Sequence, residues 1–380
     1  MTPTIRLGRL FGIEIGFNWS LVFIFALIAW TLATGVLPQD VPGQGAAAYW
    51  VAGAAGAIVF YACLLTHELS HALVARRNGM KVAGITLWLF GGVSQLEGDP
   101  KSAGAEALIA GVGPLTSFAV ALIALGFALV TSANALVSDL LSWLAYVNLA
   151  LGLFNLLPAF PLDGGRLLSS VFWWRSGSRQ RGVHNAVRVG RLFAFLMIAI
   201  GLLELFTGAI ISGIWIAFIG WFLLSAGSSE EAGTTIKALL KSVPVSAVMT
   251  SPVVTVPGWL TVEQFLESVA PTHRFTTYPV HDPAGKLTGV VRLSDLIRVQ
   301  SNNRDRMRLS DSARPISQVP VTRPDEDLAA LIERLGATLD QRVLVFDHEQ
   351  LVGIVSPSDV ARFIGVRESL RGVQPKPNPT

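Results

Sequence analysis

His67, Glu68 and His71 stand in the order His-Glu-Leu-Ser-His within a long apolar stretch. On a helix, residues i and i+4 share a face, so both imidazoles can reach one metal ion while the glutamate sits beside it. Zinc suits two imidazoles, and a neighbouring carboxylate can deprotonate the water that zinc binds. That chemistry is hydrolytic. A pair of buried histidines satisfied by hydrogen bonds is the alternative, and position weighs against it. Three ionisable groups in a stretch long enough to cross a bilayer are costly unless they pair or bind metal. His67 precedes Arg76 by nine residues, about 14 Å along a helix axis, which places it well below the membrane surface that Arg76 marks.

Two ligands do not hold a catalytic zinc: a third protein ligand is needed, with the fourth position left to water. His184 lies in an arginine-rich segment and Glu204 near the outer end of an apolar stretch, so neither is convincing. Asp163 is better placed. It lies in Leu-Leu-Pro-Ala-Phe-Pro-Leu-Asp-Gly-Gly-Arg-Leu-Leu (156–168), where Pro158 and Pro161 break a helix and Gly164-Gly165 allows close backbone approach. Read alone, Asp163 could equally cap the helix that follows. Asn148 and Glu204 are flagged without a role. Gly111, Gly113 and Pro114 are expected to be close-packing positions.

The elements that must position these groups are membrane spans. In 380 residues, 51% are hydrophobic and 14% charged, well off the average for soluble proteins. Six stretches approach the roughly 20 residues a span needs: 19–37, 49–74, 105–131, 136–157, 187–206 and 209–224. Lys and Arg gather before the first, between the second and third and between the fourth and fifth, and are missing from the opposite connections. By the positive-inside rule both termini are cytoplasmic. The first span is too long for a cleavable signal peptide and has no cleavage site after it. The net charge of +3 gives no case for nucleic acid, and a single cysteine, Cys63, rules out an internal disulfide. Residues 82–95 are too short to cross, are rich in β-branched and aromatic residues, and contain Gly91-Gly92. They read as a re-entrant or interfacial β-hairpin, tolerable at depth only if buried or lining a cavity.

Beyond a polar linker (226–243) two similar halves follow. Tyr278-Pro-Val-His-Asp leads to Gly289-Val-Val-Arg-Leu-Ser-Asp295, and Val343-Leu-Val-Phe-Asp leads to Gly353-Ile-Val-Ser-Pro-Ser-Asp359. The two aspartates lie 64 positions apart, which marks an internal repeat with boundaries at 244–305 and 306–365. Each half carries a helix-like stretch, at 262–269 and 328–335. Residues 366–380 read as a proline-rich disordered tail.

His67-Glu-Leu-Ser-His71, Asn155-x-x-Pro158-x-x-Pro161-Leu-Asp163-Gly164 and Gly91-Gly92-Val93 together resemble the site-2 protease family of intramembrane metalloproteases, over about residues 8–225 of a membrane-embedded domain set at 1–225. The resemblance implies one zinc ion on His67, His71 and Asp163, with Glu68 as general base. It implies that Asn155 helps hold the scissile peptide or its oxyanion, and that Gly91, Gly92 and Val93 present an edge strand to an unwound substrate. The two C-terminal halves resemble cystathionine-β-synthase (CBS) motifs, which pair and often bind adenine nucleotides through a terminal Ser/Thr-x-x-Asp. Ser356 and Asp359 match that pattern; in the first half Arg292 replaces the hydroxyl before Asp295, where an arginine could contact phosphate.

The expectation is a polytopic α-helical membrane protein of about six spans with a C-terminal α/β CBS pair, in a bacterial or archaeal cell membrane. Its activity would be regulated intramembrane proteolysis of single-span proteins such as anti-sigma factors. An adenine nucleotide or homodimer association at the CBS pair would modulate it. A CBS-gated transporter or channel and a non-catalytic zinc-binding membrane protein are the alternatives, and neither has a use for Glu68.

Overall fold

A computed structural model describes residues 4–88, 91–273, 275–335 and 342–372. The chain opens with a hairpin of β1 (Ile5–Leu10) and β2 (Ile13–Phe17). Its turn places Phe11 and Gly12 at φ 50° and 80°, as a tight two-residue hairpin turn requires. The first span runs through α1 (Ser20–Thr31), a π-helical turn (Leu32–Val36) and α2 (Leu37–Asp40). The second, α3 (Ala46–Arg77), ends where Asn78 and Gly79 turn the chain into β3 (Lys81–Trp88) and β4 (Gly91–Glu97). α4 (Ala103–Val130) and α5 (Ala135–Asn155) are capped by the side chains of Ser102 and Asn134. The short α6 (Asp163–Ser176), α7 (Arg179–Phe206) and α8 (Ile210–Leu240) complete this part.

Among the described residues six helices are long and apolar enough to cross a membrane. Many of their large side chains face outward, Leu122, Leu129, Leu192 and Phe206 among them, an apolar surface that lipid covers. The spans outrun the sequence estimate. α7 starts at Arg179 rather than at 187, and α8 continues to Leu240. The segment 226–243, expected as a linker, is therefore mostly helix, and the division between compact units falls after Thr235. Polarity marks where the apolar stretch stops; the backbone does not stop with it, since the segment has no proline before Leu240 and the helix runs through Gly227 and Gly233.

The hairpin expected at 82–95 is present as β3 and β4, antiparallel. The N-terminal hairpin is an addition. β2 pairs parallel with β3, giving one sheet in the order β1-β2-β3-β4. Ile13, Ile85 and Leu87 from this sheet pack on Leu64, Leu69 and Ala72 of α3, so the sheet is fastened to the helix that carries His67 and Glu68.

The second unit contains two sheets, β5-β6-β7-β8 and β11-β10-β9. The first half comprises β5 (Val256–Pro257), α9 (Val262–Gln264) leading into a π turn, β6 (Thr277–His281), β7 (Leu287–Arg292) and α10 (Leu293–Ile297). α11 (Leu309–Ser312) and β8 (Arg314–Pro315) follow. The second half comprises β9 (Val321–Thr322), α12 (Leu328–Leu335), β10 (Val343–Asp347), β11 (Gln350–Val355) and α13 (Pro357–Gly372). Because α13 reaches Gly372, the tail expected from 366 starts later; residues 373–380 lie outside the described residues.

α7 and α8 pack through glycine. A Cβ on Gly201 would lie 2.6 Å from the Ala217 nitrogen and the Gly213 oxygen, so the two backbones nearly touch, as small residues permit in membranes. Gly201→Leu should therefore lower the melting temperature of the detergent-solubilised protein, by an overpacking cost of about 1–3 kcal/mol. An unchanged melting curve would contradict this packing.

Candidate metal centre

His67 and His71 sit one turn apart on α3 and are 3% and 8% exposed. Their Nε2 atoms are 3.2 Å apart. Asp163 Oδ2 lies 3.2 Å from His71 Nε2 and 3.5 Å from His67 Nε2. One ligand atom from each residue falls within 4.8 Å of the other two. Asp163 is the first helical residue of α6, and its side chain makes no cap; Leu162 occupies the N-cap position. The capping alternative is thereby excluded. A Cβ at Gly164 would strike the Leu156 and Leu157 carbonyls at 2.3–2.4 Å, and one at Gly165 the Ala159–Phe160 backbone at 2.7 Å. These glycines let α6 start hard against the broken turn, which aims Asp163 at α3.

The hydrogen positions follow from the outer ring nitrogens. His71 Nδ1 is 2.6 Å from the Ile109 carbonyl, which can only accept, so the ring hydrogen sits on Nδ1. His67 Nδ1 is 2.9 Å from Ser117 Oγ, a hydroxyl that can accept from it in the same way. Both Nε2 lone pairs then face each other and the carboxylate. Asp163 Oδ2 is buried without a hydrogen-bond partner. Three electron-rich atoms at this spacing repel one another unless a proton or a cation lies between them. Two imidazoles and a carboxylate are a donor set that zinc accepts.

The space for the ion is kept open by Gly113. A Cβ there would stand 2.1 Å from His71 Nε2 and 2.7 Å from His67 Nε2, directly among the ligand atoms. Gly113 was expected to be a packing position; the structure gives it this more specific duty. Ile109, Gly113 and Ser117 recur at i, i+4 and i+8 on α4, so one helix face both orients the two rings and leaves room between them. Ser117, 1% exposed, was not found by sequence reasoning. Its signal, a hydroxyl in step with a glycine on a buried helix face, becomes visible only once α4 is known to pack on α3.

Glu68 projects to the sheet. Ser94 Oγ of β4 donates to Glu68 Oε2 at 2.9 Å, and a Cβ on Gly92 would lie 2.2 Å from Glu68 Cγ. Gly92 is thus required by the glutamate that crosses it. Gly91 (φ 129°) has open space around its Cα, and the Val93 side chain lies outside the described residues. Asn155 ends α5 with Nδ2 donating to Leu151 O at 3.0 Å; among the described residues no bond joins it to the cluster. Asn148 donates to Leu144 O. Neither it nor Glu204 bonds to the cluster among the described residues. His184 pairs with Glu231, which also binds Arg191 at 2.6 Å.

In the C-terminal unit, Asp359 is fully engaged. It accepts from Ser356 Oγ at 2.5 Å, Ser356 N at 3.0 Å, Thr250 Oγ1 at 3.0 Å and Arg362 Nη2 at 3.0 Å. Asp295 is exposed and, among the described residues, receives only the Ser294 hydroxyl, at 3.3 Å.

Gly113→Ala should strip the protein of zinc, because both rings are held from behind and cannot retreat. Gly111→Ala, whose Cβ would meet only Leu167 at an ordinary 3.7 Å, should keep it. Metal content of the two purified variants checks this, and zinc retained at wild-type level by Gly113→Ala would contradict it.

The family model described as peptidase family M50 matches residues 55–134 and 130–197, and that for the CBS domain matches 245–302 and 313–366. The solved structure of the site-2 protease from Methanocaldococcus jannaschii covers 60% of this chain and 94% of its own, at 26% identity and a TM-score of 0.39. A Synechocystis protein named a zinc metalloprotease is 29% identical over 374 residues, 96% of each chain. A Mycobacterium tuberculosis protein named zinc metalloprotease Rip3 is 44% identical over 382 residues, covering 99% of this chain and 96% of that one. Likeness of that extent is decisive: the chain belongs to peptidase family M50, the site-2 proteases, and is a multi-pass membrane zinc metalloprotease with a C-terminal CBS pair.

Proposed function

We propose that the chain hydrolyses a peptide bond within the bilayer, in the transmembrane segment of a single-span protein, with His67, His71 and Asp163 holding one zinc ion. The observation that carries this reading is the convergence of those three ligand atoms within 4.8 Å, beside Glu68 and on helices of membrane length. Zinc bound there would supply a Lewis acid and lower the pKa of its water towards about 7.

Glu68 takes the proton of the attacking water and returns it to the leaving amine. Ser94 fixes one carboxylate oxygen, Oε2, which holds the group in register and leaves Oε1 to carry the proton. Asn155 steadies the scissile carbonyl, for which its Nδ2 must exchange the Leu151 carbonyl for the substrate's. A transmembrane helix hides its amides in its own hydrogen bonds, so the substrate must unwind before attack. β4 ends its sheet, and Gly91, Gly92 and Val93 offer an edge on which the freed strand is paired.

Arginine and lysine placement supports cytoplasmic termini in a bacterial or archaeal cell membrane. Membrane-held regulators such as anti-sigma factors fit the substrate class. The CBS pair (244–305 and 306–365) would modulate cleavage through homodimer association or an adenine nucleotide near Asp295, Ser356 and Asp359.

Glu68→Gln should keep zinc yet cleave a single-span substrate in detergent about 10²–10⁴-fold more slowly. Undiminished cleavage by this zinc-loaded variant would overturn the proposal and favour a membrane protein with no use for Glu68.

A further inference from the structure

The Ser/Thr-x-x-Asp pattern favours Ser356 and Asp359 as a ligand site, but the charge distribution favours a cavity around Arg292. A cavity of about 200 Å³ is lined by Arg292, Arg314, Arg342, Asp295, Thr277 and Ser312. Three guanidinium groups thus face one carboxylate. None of the three arginines forms an ion pair among the described residues, although arginines elsewhere in this unit do, for example Arg334 with Glu326 at 3.0 Å and Arg362 with Asp359 at 3.0 Å. Thr277 is 6% exposed, and its Oγ1 is buried without a partner; the Ser312 hydroxyl is likewise unpartnered. Buried hydroxyls without partners are uncommon and call for an explanation. Burial, and then the like charge of Arg292, lower the Arg342 pKa from its ordinary value, so this cation is held in a place that works against its charge. Guanidinium groups without a carboxylate partner, of which Arg342 donates to the Thr276 hydroxyl, and free hydroxyls together are the donor set of a phosphate site.

A second cavity adjoins the first and shares Thr277 and Arg342 with it. Its remaining lining includes Val253, Val254, Phe275 and Ile354, and its one carboxylate, Asp359, already receives four hydrogen bonds. Arg362 also lines it but is paired with Asp359 at 3.0 Å, so the second cavity adds apolar surface and no unpaired charge beyond the shared Arg342.

We infer that the cavity formed by both CBS halves around Arg292, Arg314 and Arg342, with Thr277 and Ser312, binds a cluster of phosphate groups, so that the regulatory ligand is selected by its number of phosphates. This rests on the reading of the CBS pair as a ligand-binding module and narrows the ligand to a polyphosphate-bearing one.

The test is calorimetric titration of the full-length protein in detergent with adenosine, AMP, ATP and inorganic tripolyphosphate. Tripolyphosphate should bind, and ATP should bind at least about tenfold more tightly than AMP, since each added phosphate brings charge-assisted hydrogen bonds. The double variant Arg292→Gln/Arg314→Gln should lose tripolyphosphate binding and equalise ATP with AMP, while Arg292→Lys/Arg314→Lys retains part of both. Asp359→Asn should leave tripolyphosphate binding intact. Equal affinities for adenosine and ATP would overturn this inference and leave the adenine-nucleotide reading standing, as would tripolyphosphate binding undiminished in the double glutamine variant. Tripolyphosphate binding with no response to adenosine or AMP would uphold the inference and remove the adenine requirement. No binding by any of the four would overturn both.

Discussion

Two imidazole nitrogens and a carboxylate oxygen face one another across 3.2–3.5 Å inside an apolar helical body. Such crowding of lone pairs is unfavourable by itself and becomes favourable around a cation, and much of the surrounding architecture follows from that. α4 must supply an acceptor behind each ring, which Ile109 and Ser117 do, and must carry no side chain between the rings, which fixes glycine at 113. α5 must end early enough for Asp163 to return to α3, and Pro158, Pro161, Gly164 and Gly165 secure that return. Removing any one of these features leaves buried polar groups facing each other uncompensated, a cost a helix bundle in lipid has few ways to relieve.

The sheet answers a different constraint. Glu68 has to lie beside the proposed metal ligands without becoming one of them. Its position one residue along α3 from His67 turns it towards β4, where Ser94 receives it and Gly92 makes room. The strand edge proposed to hold substrate is thus tied by a side-chain hydrogen bond to the proposed base. The N-terminal hairpin extends the same sheet and adds Ile13 to the Ile85 and Leu87 of β3 that pack on α3, which gives the strand next to the site a rigid backing.

What could be read from the sequence was what depends on local spacing. His67, Glu68 and His71 are one helical turn, and the spans announce themselves by length and by the arginines between them. The 82–95 hairpin shows in its β-branched residues and paired glycines, and the CBS halves in their repetition. Asp163 needed the broken segment around it and the family resemblance to stand out. Ser117, Ser94 and the special standing of Gly113 were out of reach because they depend on which face of α4 and which strand lie against α3, a register that no local pattern encodes. The N-terminal hairpin escaped for a related reason: residues 5–17 alternate weakly, and their strand character comes from pairing with β3, a partner more than sixty residues away. The extent of α8 was misjudged because loss of hydrophobicity does not end a helix.

The central claim is the ligand set itself, and X-ray absorption at the zinc edge of the purified protein examines it most directly. The account predicts only light donors, at about 2.0–2.2 Å, with the multiple-scattering signature of two imidazoles, reduced to one imidazole in His71→Ala. Asp163→Ala should alter the oxygen contribution and leave both imidazoles in place. A sulfur donor near 2.3 Å, or a wild-type spectrum from zinc still bound to His71→Ala, would place the metal elsewhere and contradict the account.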